Sequence, residues 1–562
     1  MSAAPAPEAR RLTGPHLLGD RTGAALDVPL VTASDAAALA TWERLMPALL
    51  AEVGWEAESI AVRRFARSAA LAITAPPDLL YAATDVLEAG WAAATRQAAG
   101  DPSPPDDVVP RLREQIERQQ DPALRALAVA AAERGVTFLA DDEGVSLGSG
   151  TGALFFPSGE LPGVGEVPWA SVRDVPIVLV TGSNGKTTTV RLLAAMAGES
   201  GRRAGHTSTD GVVIGAETVA TTDYAGPMGA RIVLRDRRVE LAILETARGG
   251  ILRRGIAARR ADLALVTNIA EDHFGDFGVT TLEELADVKL VIARVVPPAG
   301  TVILNADDPI LAARGSALDR YVAWFSIDPG HPLLDRAVLA CTVERGAVVL
   351  HAGGTKQPVA ELADIPITRS GAARYNVSNV LGATLAAAVL GFAPDRIGAA
   401  LRHFGGGADV NPGRGNLLEV GGVHVIVDYA HNPHGLAAVR QLADSIPASR
   451  RLLLLGQAGD RDDAALRELA RAAWNLRPDR IVLKELAGLR RGRGAGEVRA
   501  VLADELHRLG APAASVDRAE SDVEAVEAAL QWARPGDLLI LLVHEQRDAV
   551  LQLLAEARAV RT

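Results

Sequence analysis

The sequence has almost no cysteine and few aromatic residues. Cys341 is the single cysteine among 562 residues, so neither an intrachain disulfide framework nor a cysteine-based zinc ribbon can form. Cys341 follows an apolar stretch, which predicts a buried thiol rather than a nucleophile. Phe, Trp and Tyr make up only 4% of the chain, so its cores must be built from Ala, Leu and Val. This cysteine usage is typical of the reducing cytoplasm.

Long hydrophobic runs and an excess of positive charge are also absent. The strongest apolar runs, such as residues 538–543, are far too short to span a bilayer. Residues 1–12 have no apolar segment typical of a signal peptide. The 58 basic and 69 acidic residues give a formal net charge of −11, which provides no broad basic footprint for nucleic acid. We expect a cytoplasmic protein with no nucleic-acid or membrane partner, whose oligomeric state stays open.

What the chain does contain falls into three segments, in keeping with about three or four domains for this length. Residues 1–173 have Ala-rich helical stretches at 36–52, 82–99 and 122–134 and no evident catalytic pattern. Residues 174–411 alternate helical stretches with apolar runs at 175–180, 241–244, 263–266 and 302–304. Residues 412–562 repeat this alternation with runs at 423–427, 452–455, 481–483 and 538–543. Strands that alternate with helices predict α/β domains with parallel sheets.

The strongest local signal is the stretch Thr-Gly-Ser-Asn-Gly-Lys-Thr-Thr at residues 181–188, between a predicted strand and a predicted helix. Glycines let the backbone turn tightly so that several N–H groups point at one anion, and the helix N-terminus adds its positive end. Lys186 can reach the outer phosphates of a nucleotide, and the Thr187 hydroxyl can bind Mg²⁺. The general Walker spacing would have glycine at position 180, where this chain has Val180, so Gly182 supplies the turn in a compact variant.

Four motifs in one order resemble those of the Mur ligases, which build peptides by ATP-dependent addition of amino acids. They are the turn at 181–188, Arg-Tyr-Asn-Val-Ser-Asn at 374–379, Pro-Gly-Arg-Gly-Asn at 412–416 and Asp-Tyr-Ala-His-Asn-Pro at 428–433. The resemblance implies an N-terminal domain at 1–173, a central P-loop domain at 174–411 and a smaller Rossmann-like domain at 412–562. Residues 244–253, 267–273, 305–309 and 491–493 are similar to the C-terminal ligase module of cyanophycin synthetases.

One departure limits this likeness. Cyanophycin synthetases carry an ATP-grasp domain before the Mur-like module, but here few residues separate Gly150 from the first Mur-like strand. We therefore expect one ATP site where those enzymes have two.

The resemblance also assigns roles to individual residues. It implies that the catalytic residues are Lys186, Lys289, Glu245, His273 and Arg414. It implies that ATP is bound by Gly182, Asn184, Gly185, Lys186, Thr187, Thr188, Asn376, Asn379, Arg414 and Asp428. Mg²⁺ is then held by Thr187, Glu245, His273 and Lys289. Glu245 ends a predicted strand, where α/β sheets place ligands. The counterpart of Lys289 in Mur ligases is often carbamylated, which is a hypothesis here.

For the residues that could contact the substrates, the sequence does not decide between a functional and a structural role. His431, Asn432 and Arg248 are candidates for the amine side, and Asp210, Asp223 and Arg231 for the carboxylate side.

We expect an ADP-forming ligase that joins an aspartate-type carboxylate to an amino-acid amine through an acyl phosphate. Its partners are small amino-acid or short peptide substrates. A cell-wall or folate-type amino-acid ligase of the same superfamily is the alternative, and a nucleotide-binding regulatory module without ligase chemistry is another. The identity of the two substrates and the choice between a dipeptide and a polymer product stay open.

Overall fold

The computed structural model describes residues 7–101, 107–272, 274–405, 407 and 410–561. Its internal contacts divide the chain into two compact units. The first unit comprises residues 1–182, 197–269 and 274–324, and the second comprises residues 183–196, 270–273 and 325–562. Both contain helices and sheets, which confirms the predicted α/β class, while the division into three domains at residues 173 and 411 stays a prediction.

Up to residue 173 the helices are α1 (Ala33–Glu52), α2 (Leu80–Ala98), α3 (Val108–Gln119) and α4 (Pro122–Glu133). The strands are β1 (Arg10–Leu12), β2 (Gly23–Pro29), β3 (Ile60–Arg64), β4 (Ser68–Thr74), β5 (Phe138–Asp141), β6 (Gly144–Leu147) and β7 (Leu154–Pro157).

An antiparallel sheet of order β1-β2-β4-β3 lies at the start of the chain, and α1 and α2 cover one of its faces. Thr32 begins α1 because its hydroxyl accepts the Asp35 N–H while the Asp35 carboxylate accepts the Thr32 N–H. Trp42 and Met46 of α1 are buried in this core with Leu71 of β4. The predicted Ala-rich helices are confirmed, whereas the strands of this sheet were not predicted.

The next elements form the parallel sheet of the first unit. The strands are β8 (Ile177–Thr181), β9 (Ala204–Ser208), β10 (Gly211–Ile214), β11 (Glu217–Ala220), β12 (Leu241–Glu245), β13 (Leu263–Val266), β14 (Thr301–Asn305) and β15 (Tyr321–Ser326). Helix α5 (Lys186–Glu199) follows β8, and its residues 186–196 belong to the second unit. The helices of the first unit are α6 (Pro227–Arg235), α7 (Arg248–Arg254), α8 (Leu282–Lys289), α9 (Val291–Arg294) and α10 (Pro309–Gly315).

The strand order in this part is β11-β10-β9-β12-β8-β13-β14-β15. Strands β9, β12, β8, β13 and β14 run parallel, with Glu245 beside Val180 and Val266 beside Thr181. The four predicted strands of this segment are confirmed, and their carboxyl ends meet at one edge, where α/β sheets bind ligands.

The remaining elements belong to the second unit. The strands are β16 (Leu339–Glu344), β17 (Ala347–Ala352), β18 (Thr355–Glu361), β19 (Asn416–Val420), β20 (Val423–Asp428), β21 (Arg451–Leu455), β22 (Arg480–Lys484), β23 (Val516–Ala519) and β24 (Leu538–Leu542). The helices are α11 (Pro332–Asp335), α12 (Arg374–Val389), α13 (Pro394–His403), α14 (Pro433–Asp444), α15 (Asp463–Trp474), α16 (Glu497–Arg508), α17 (Asp522–Trp532) and α18 (Arg547–Arg561).

A six-stranded sheet of order β19-β20-β24-β21-β22-β23 organises the C-terminal part, and all its pairs beyond β19-β20 are parallel. Alternate strand residues face opposite sides: Leu453 packs with α14, α15 and α16, whereas Leu454 packs with α17 and α18. Because helices cover both faces, β24 and the inner residues of β20, β21 and β22 are apolar, as the sequence predicted, whereas the edge strands β19 and β23 carry charged residues. Within the described residues, no helix is long and apolar enough to cross a bilayer.

Candidate functional site

In the first unit, hydroxyl, amide and carboxylate groups gather at the carboxyl edge of the parallel sheet. Glu245, the last residue of β12, is 1% exposed. The Thr181 hydroxyl donates to the Thr246 carbonyl at 2.6 Å, and the Asn305 amide donates to the Thr267 carbonyl at 3.0 Å. These bonds tie the ends of β8, β12, β13 and β14 together, so the edge is rigid and rich in oxygen atoms.

Gly182 follows β8 at this edge and has a conformation that only glycine accommodates. Its φ is +146°, and a Cβ there would collide with the Thr267 hydroxyl oxygen. The Gly182 carbonyl accepts a hydrogen bond from the Lys289 ammonium at 2.9 Å. Lys289 is 2% exposed at the end of α8, so a buried cation lies directly beside the turn.

In the second unit, the turn continues at Gly185 and leads into α5. Gly185 has φ +86°, and a Cβ there would collide with the Asn379 side-chain oxygen. The Asn379 amide donates to the Asn376 side chain at 3.3 Å, and the Asn376 amide donates to the Ile367 carbonyl at 3.1 Å. The two asparagines of α12 thus lie next to the glycine turn, and both are buried.

Lys186 and Thr187 occupy the first turn of α5. The Lys186 ammonium donates to the Ser183 carbonyl at 3.2 Å, so its side chain curls over the turn. The Thr187 hydroxyl belongs to a buried residue. The Ser183 hydroxyl donates to the Ala270 carbonyl at 2.7 Å and accepts from the Ala270 N–H at 2.9 Å, which fixes the loop.

Asn184 joins this turn to the start of α14. Its amide donates to the Asn432 side-chain oxygen at 3.4 Å, and the Asn432 amide donates back to the Asn184 oxygen at 3.2 Å. Asn432 also caps α14, because its oxygen accepts the Gly435 N–H at 2.8 Å. The Asn184 amide further lies 2.9 Å from His434 Nδ1.

Asn411 connects α5 to the Pro-Gly-Arg-Gly-Asn motif. Its amide donates to the Thr188 hydroxyl at 3.3 Å, and its oxygen accepts from Arg191 at 3.1 Å. The Asn416 amide donates to the Asn411 carbonyl at 3.0 Å, while its oxygen accepts the Gly413 N–H at 2.6 Å. The sequence analysis missed Asn411 and Arg191, although Asn411 directly precedes the motif.

Arg414 and Asp428 face each other within the second unit. The Arg414 guanidinium lies over the Tyr429 ring, 4.4 Å from its centroid. Burial raises the pKa of the Asp428 carboxyl, while the Arg414 charge and backbone N–H groups oppose this effect. The Asp428 oxygen accepts the Ala430 N–H at 2.7 Å, which folds the loop after β20.

His431 and its neighbours form a polar cluster around that loop. His431 Nε2 lies 3.6 Å from an Asp272 oxygen, and the Arg461 guanidinium donates to the same carboxylate at 3.0 Å. The Gln457 amide donates to the His431 carbonyl at 2.6 Å. Asp272 lies inside a motif that the sequence analysis quoted, but Arg461 and Gln457 carried no local signal.

His544 completes this cluster from the loop after β24. Its ring packs edge-on against Tyr429, 5.1 Å between centroids, and Nε2 lies 3.3 Å from the Ala430 carbonyl oxygen. Burial lowers the pKa of His544 well below its ordinary value, so the ring stays neutral. Asp522, ion-paired with buried Lys484, accepts the Glu545 N–H at 2.8 Å and so holds this loop.

The described site residues thus fall into two groups. Gly182, Glu245 and Lys289 belong to the first unit. The second unit holds Asn184, Gly185, Lys186, Thr187, Thr188, Asn376, Asn379, Arg414 and Asp428. His273 lies outside the described residues, and its predicted role stays a prediction.

The substrate-side candidates differ in their surroundings. Arg248 begins α7, is 8% exposed and forms an ion pair with Asp276 at 2.6 Å. The Asp223 carboxylate accepts the Ala225 N–H at 3.0 Å in a loop before α6, and the Asp210 N–H donates to Ser208 in a turn. Arg231 lies on α6.

The donor set suits a nucleotide phosphate with a hard cation. Two positive-φ glycines, the start of a 14-residue helix, one lysine and one buried threonine hydroxyl surround the turn. Buried carboxylate and hydroxyl oxygens are the ligands that Mg²⁺ prefers, and Glu245 in the first unit and Thr187 in the second are each of this kind. Among the described residues, no group of three or more His, Cys, Asp or Glu is arranged to hold a metal by itself.

Comparison with known proteins finds two domain models and several relatives. The Mur ligase middle domain matches residues 180–387, and the Mur ligase, glutamate ligase domain matches residues 413–542. Cyanophycin synthetase of Synechocystis sp. (strain ATCC 27184 / PCC 6803 / Kazusa) is 42% identical over 334 residues, covering 59% of this chain and 38% of that protein. That of Crocosphaera subtropica (strain ATCC 51142 / BH68) is 38% identical over 387 residues, covering 68% and 44%.

Among solved structures, E. coli FolC in complex with DHPP and ADP has a TM-score of 0.50 and 19% identity, and the match covers 69% of this chain and 89% of FolC. This likeness concerns the fold alone. The chain spans less than half the length of the two cyanophycin synthetases.

Proposed function

Since this chain has the middle and C-terminal domains of the Mur ligase family, we propose that it is an ADP-forming ligase that joins a carboxylate to an amine. The observation that carries the proposal is the turn between β8 and α5. Gly182 and Gly185 occupy positions where a Cβ would collide with neighbouring side chains, and Lys186 and Thr187 follow at the helix start. Such a turn binds the phosphates of a nucleotide through backbone N–H groups and the helix N-terminus.

The substrate class rests on the cyanophycin synthetase likeness. Identities of 42% and 38% favour an aspartate-type carboxylate and an amino-acid amine over a cell-wall substrate. The product is then an amide or isopeptide, with ADP and phosphate released.

The first step transfers the terminal phosphoryl group of ATP to the substrate carboxylate. A carboxylate oxygen forms a bond to phosphorus, the bond to the ADP oxygen breaks, and an acyl phosphate results. Lys186 and Arg414 are positioned in our proposal to neutralise the charge on the transferred group. Asn376 and Asn379 hold the base, and Asp428 holds the ribose hydroxyls.

Mg²⁺ would neutralise the phosphates further, held by Thr187, Glu245 and His273. Lys289 joins these ligands if its amine is carbamylated, which would turn a buried cation into an anionic oxygen ligand. The unmodified ammonium instead donates to Gly182, so the carbamylated side chain must exchange that contact for the metal.

The second step needs a free amine and a place for its proton. The amine nitrogen attacks the acyl carbon and phosphate leaves, so one proton must pass from nitrogen to a base. We assign this role to His431, whose Nε2 lies 3.6 Å from an oxygen of the Asp272 carboxylate, a neighbour that can orient the ring. Asn432, which holds both Asn184 and the start of α14, positions this loop.

A phosphate-release screen of the purified full chain tests the proposal. All amino acids are offered pairwise, together with β-aspartyl dipeptides, and products are identified by mass. We expect release only when a carboxylate and an amine are both present, with a condensed product. Release of phosphate without any amine would contradict ligase chemistry and favour a regulatory nucleotide-binding module.

A further inference from the structure

Six arginines of the first unit lie close together where β1, α6 and α7 meet. Arg231 on α6 lies within electrostatic range of Arg11, Arg235 and Arg254. Arg254, at the end of α7, likewise senses Arg10, Arg11 and Arg253. Such a concentration of positive charge stands out in a chain whose formal net charge is −11.

Only two of the six are neutralised. Arg10 pairs with Asp27 at 2.7 Å, and Arg235 pairs with Asp141 at 2.7 Å. The other four form no ion pair with any described residue, and we call them the arginine cluster: Arg11, Arg231, Arg253 and Arg254.

The arginine cluster is partly ordered by uncharged contacts. The Arg11 guanidinium lies over the Tyr81 ring, 3.7 Å from its centroid, and Arg254 donates to the Arg11 carbonyl at 3.3 Å. The Arg231 Nε is buried and has no hydrogen-bond partner among the described residues. An orphaned donor of this kind costs free energy unless a ligand satisfies it.

Electrostatics points the same way. Burial is the largest cause that lowers the pKa of Arg231 and of Arg254. The Asp141 carboxylate partly opposes this effect at Arg231, and neighbouring guanidinium groups add to it at both residues. Asp141 also pairs with Arg235, so one carboxylate serves two guanidinium groups, and such an excess of positive charge is typical of binding sites for anions.

Helix α7 connects the cluster to the carboxyl edge of the parallel sheet. Helix α7 begins at Arg248, three residues after Glu245, and ends at Arg254. With a rise of 1.5 Å per residue, its two ends are about 9 Å apart, the span of two or three residues of an extended peptide.

We propose that the arginine cluster binds an acidic peptide acceptor through carboxylates other than the one that reacts. This proposal rests on the proposed function only for its link to turnover. Guanidinium groups match carboxylates in a two-pronged geometry. A peptide with spaced carboxylates suits them better than one compact phosphate, because they lie on three elements, β1, α6 and α7.

Calorimetric titration of the full chain without ATP tests the proposal. The probe is deca-L-aspartate, and deca-L-asparagine is the uncharged control. We expect R231Q and R254Q each to bind deca-L-aspartate about tenfold more weakly than wild type, the loss of roughly one charge-assisted contact. The affinity should also fall as salt is added.

Two further variants make the result decisive. Arg253 is exposed, so R253Q leaves the core intact and should still weaken binding. R237Q removes an exposed charge of the same unit outside the cluster and should bind like wild type. Equal binding of both peptides, or wild-type affinity in R231Q, R253Q and R254Q, would overturn the proposal.

A titration with a nucleotide tests the alternative that the cluster binds phosphate groups instead of carboxylates. If uridine diphosphate binds more tightly than deca-L-aspartate and loses affinity in the same variants, the site serves phosphate and the peptide assignment is wrong. In turnover, the cluster variants should raise KM for an acidic acceptor and leave KM for ATP unchanged. If the wild-type chain binds deca-L-aspartate but never releases phosphate, the proposed ligase function is refuted, and the proposed peptide binding by the arginine cluster is not.

Discussion

Single residues decide whether the turn after β8 can form. Gly182 needs its positive φ and has the Thr267 side chain packed against its Cα. The Lys186 ammonium donates to the Ser183 carbonyl, and the Lys289 ammonium donates to the Gly182 carbonyl. Both lysines thus bring positive charge to this turn. The chemistry thus depends on one backbone conformation and on cations that lie beside it.

Gly182→Ala should destabilise the protein. The new methyl group overlaps the Thr267 hydroxyl and the backbone is strained, so we expect a loss of at least about 2 kcal/mol in the free energy of unfolding. Urea denaturation measures it. Gly201→Ala is the matched control, because Gly201 has φ +75° but open space around it and should cost only about 1 kcal/mol. Equal losses would refute the steric argument.

Lys186→Ala should abolish turnover without unfolding the chain. Removing a cation that contacts the transferred phosphoryl group is expected to lower kcat by about 10³-fold. Phosphate release measures this loss and circular dichroism checks the fold. Lys356→Ala, on exposed β18, should keep wild-type activity. An active Lys186→Ala would remove the basis of the assigned site.

At the scale of elements, hydrogen bonds join the turn after β1 to helices beside the parallel sheet. Thr13 N–H donates to the Arg254 carbonyl at 2.8 Å, and Arg294 donates to the His16 carbonyl at 2.9 Å. His16 is 5% exposed in the turn between β1 and β2, and its Nδ1 accepts the Leu18 N–H at 3.1 Å. This turn therefore anchors the N-terminal sheet on α7 and α9.

The turn makes stability depend on pH. Burial lowers the pKa of His16 to about 4. Between that value and the unfolded pKa of roughly 6.5, the unfolded chain binds the extra proton, so stability falls as the pH falls through this range. We expect a loss of about 2 kcal/mol from pH 7 to pH 5, measured by urea denaturation.

His16→Asn should weaken this dependence, because Asn can accept the Leu18 N–H and does not titrate. His507→Asn, at an exposed position of α16, should retain it. An unchanged pH dependence in His16→Asn would show that other groups cause it.

At the scale of the whole molecule, nucleotide binding at the proposed site should increase the free energy of unfolding. A ligand that binds the folded chain alone stabilises it by about 2.7 kcal/mol at a hundred times its Kd. ATP with Mg²⁺ should therefore shift the urea midpoint of the wild-type chain upward, and Lys186→Ala should show no shift. AMP, which lacks the outer phosphates, serves as the control. A shift that persists in Lys186→Ala would place the triphosphate elsewhere.

The sequence by itself determined the likeness to Mur ligases, the parallel strands and the glycine turn before α5, and the predicted Mur ligase-like α/β fold is confirmed. It could do so because strands covered on both faces are apolar throughout and because the motifs are contiguous. Strand β4, Ser-Ala-Ala-Leu-Ala-Ile-Thr, was not predicted because its Ala-rich pattern favours neither the two-residue period of a strand nor the 3.6-residue period of a helix.

Only the tertiary structure decided which distant side chains meet. Asn411 reaches Thr188 across 223 positions, Arg461 reaches Asp272 across 189, and the arginine cluster joins β1 to α6 and α7. No local spacing encodes such contacts, since they depend on which loops and helix ends the folded chain brings together. The sequence specified the residue types of the turn, and the packing of the folded chain determined which distant side chains lie next to them.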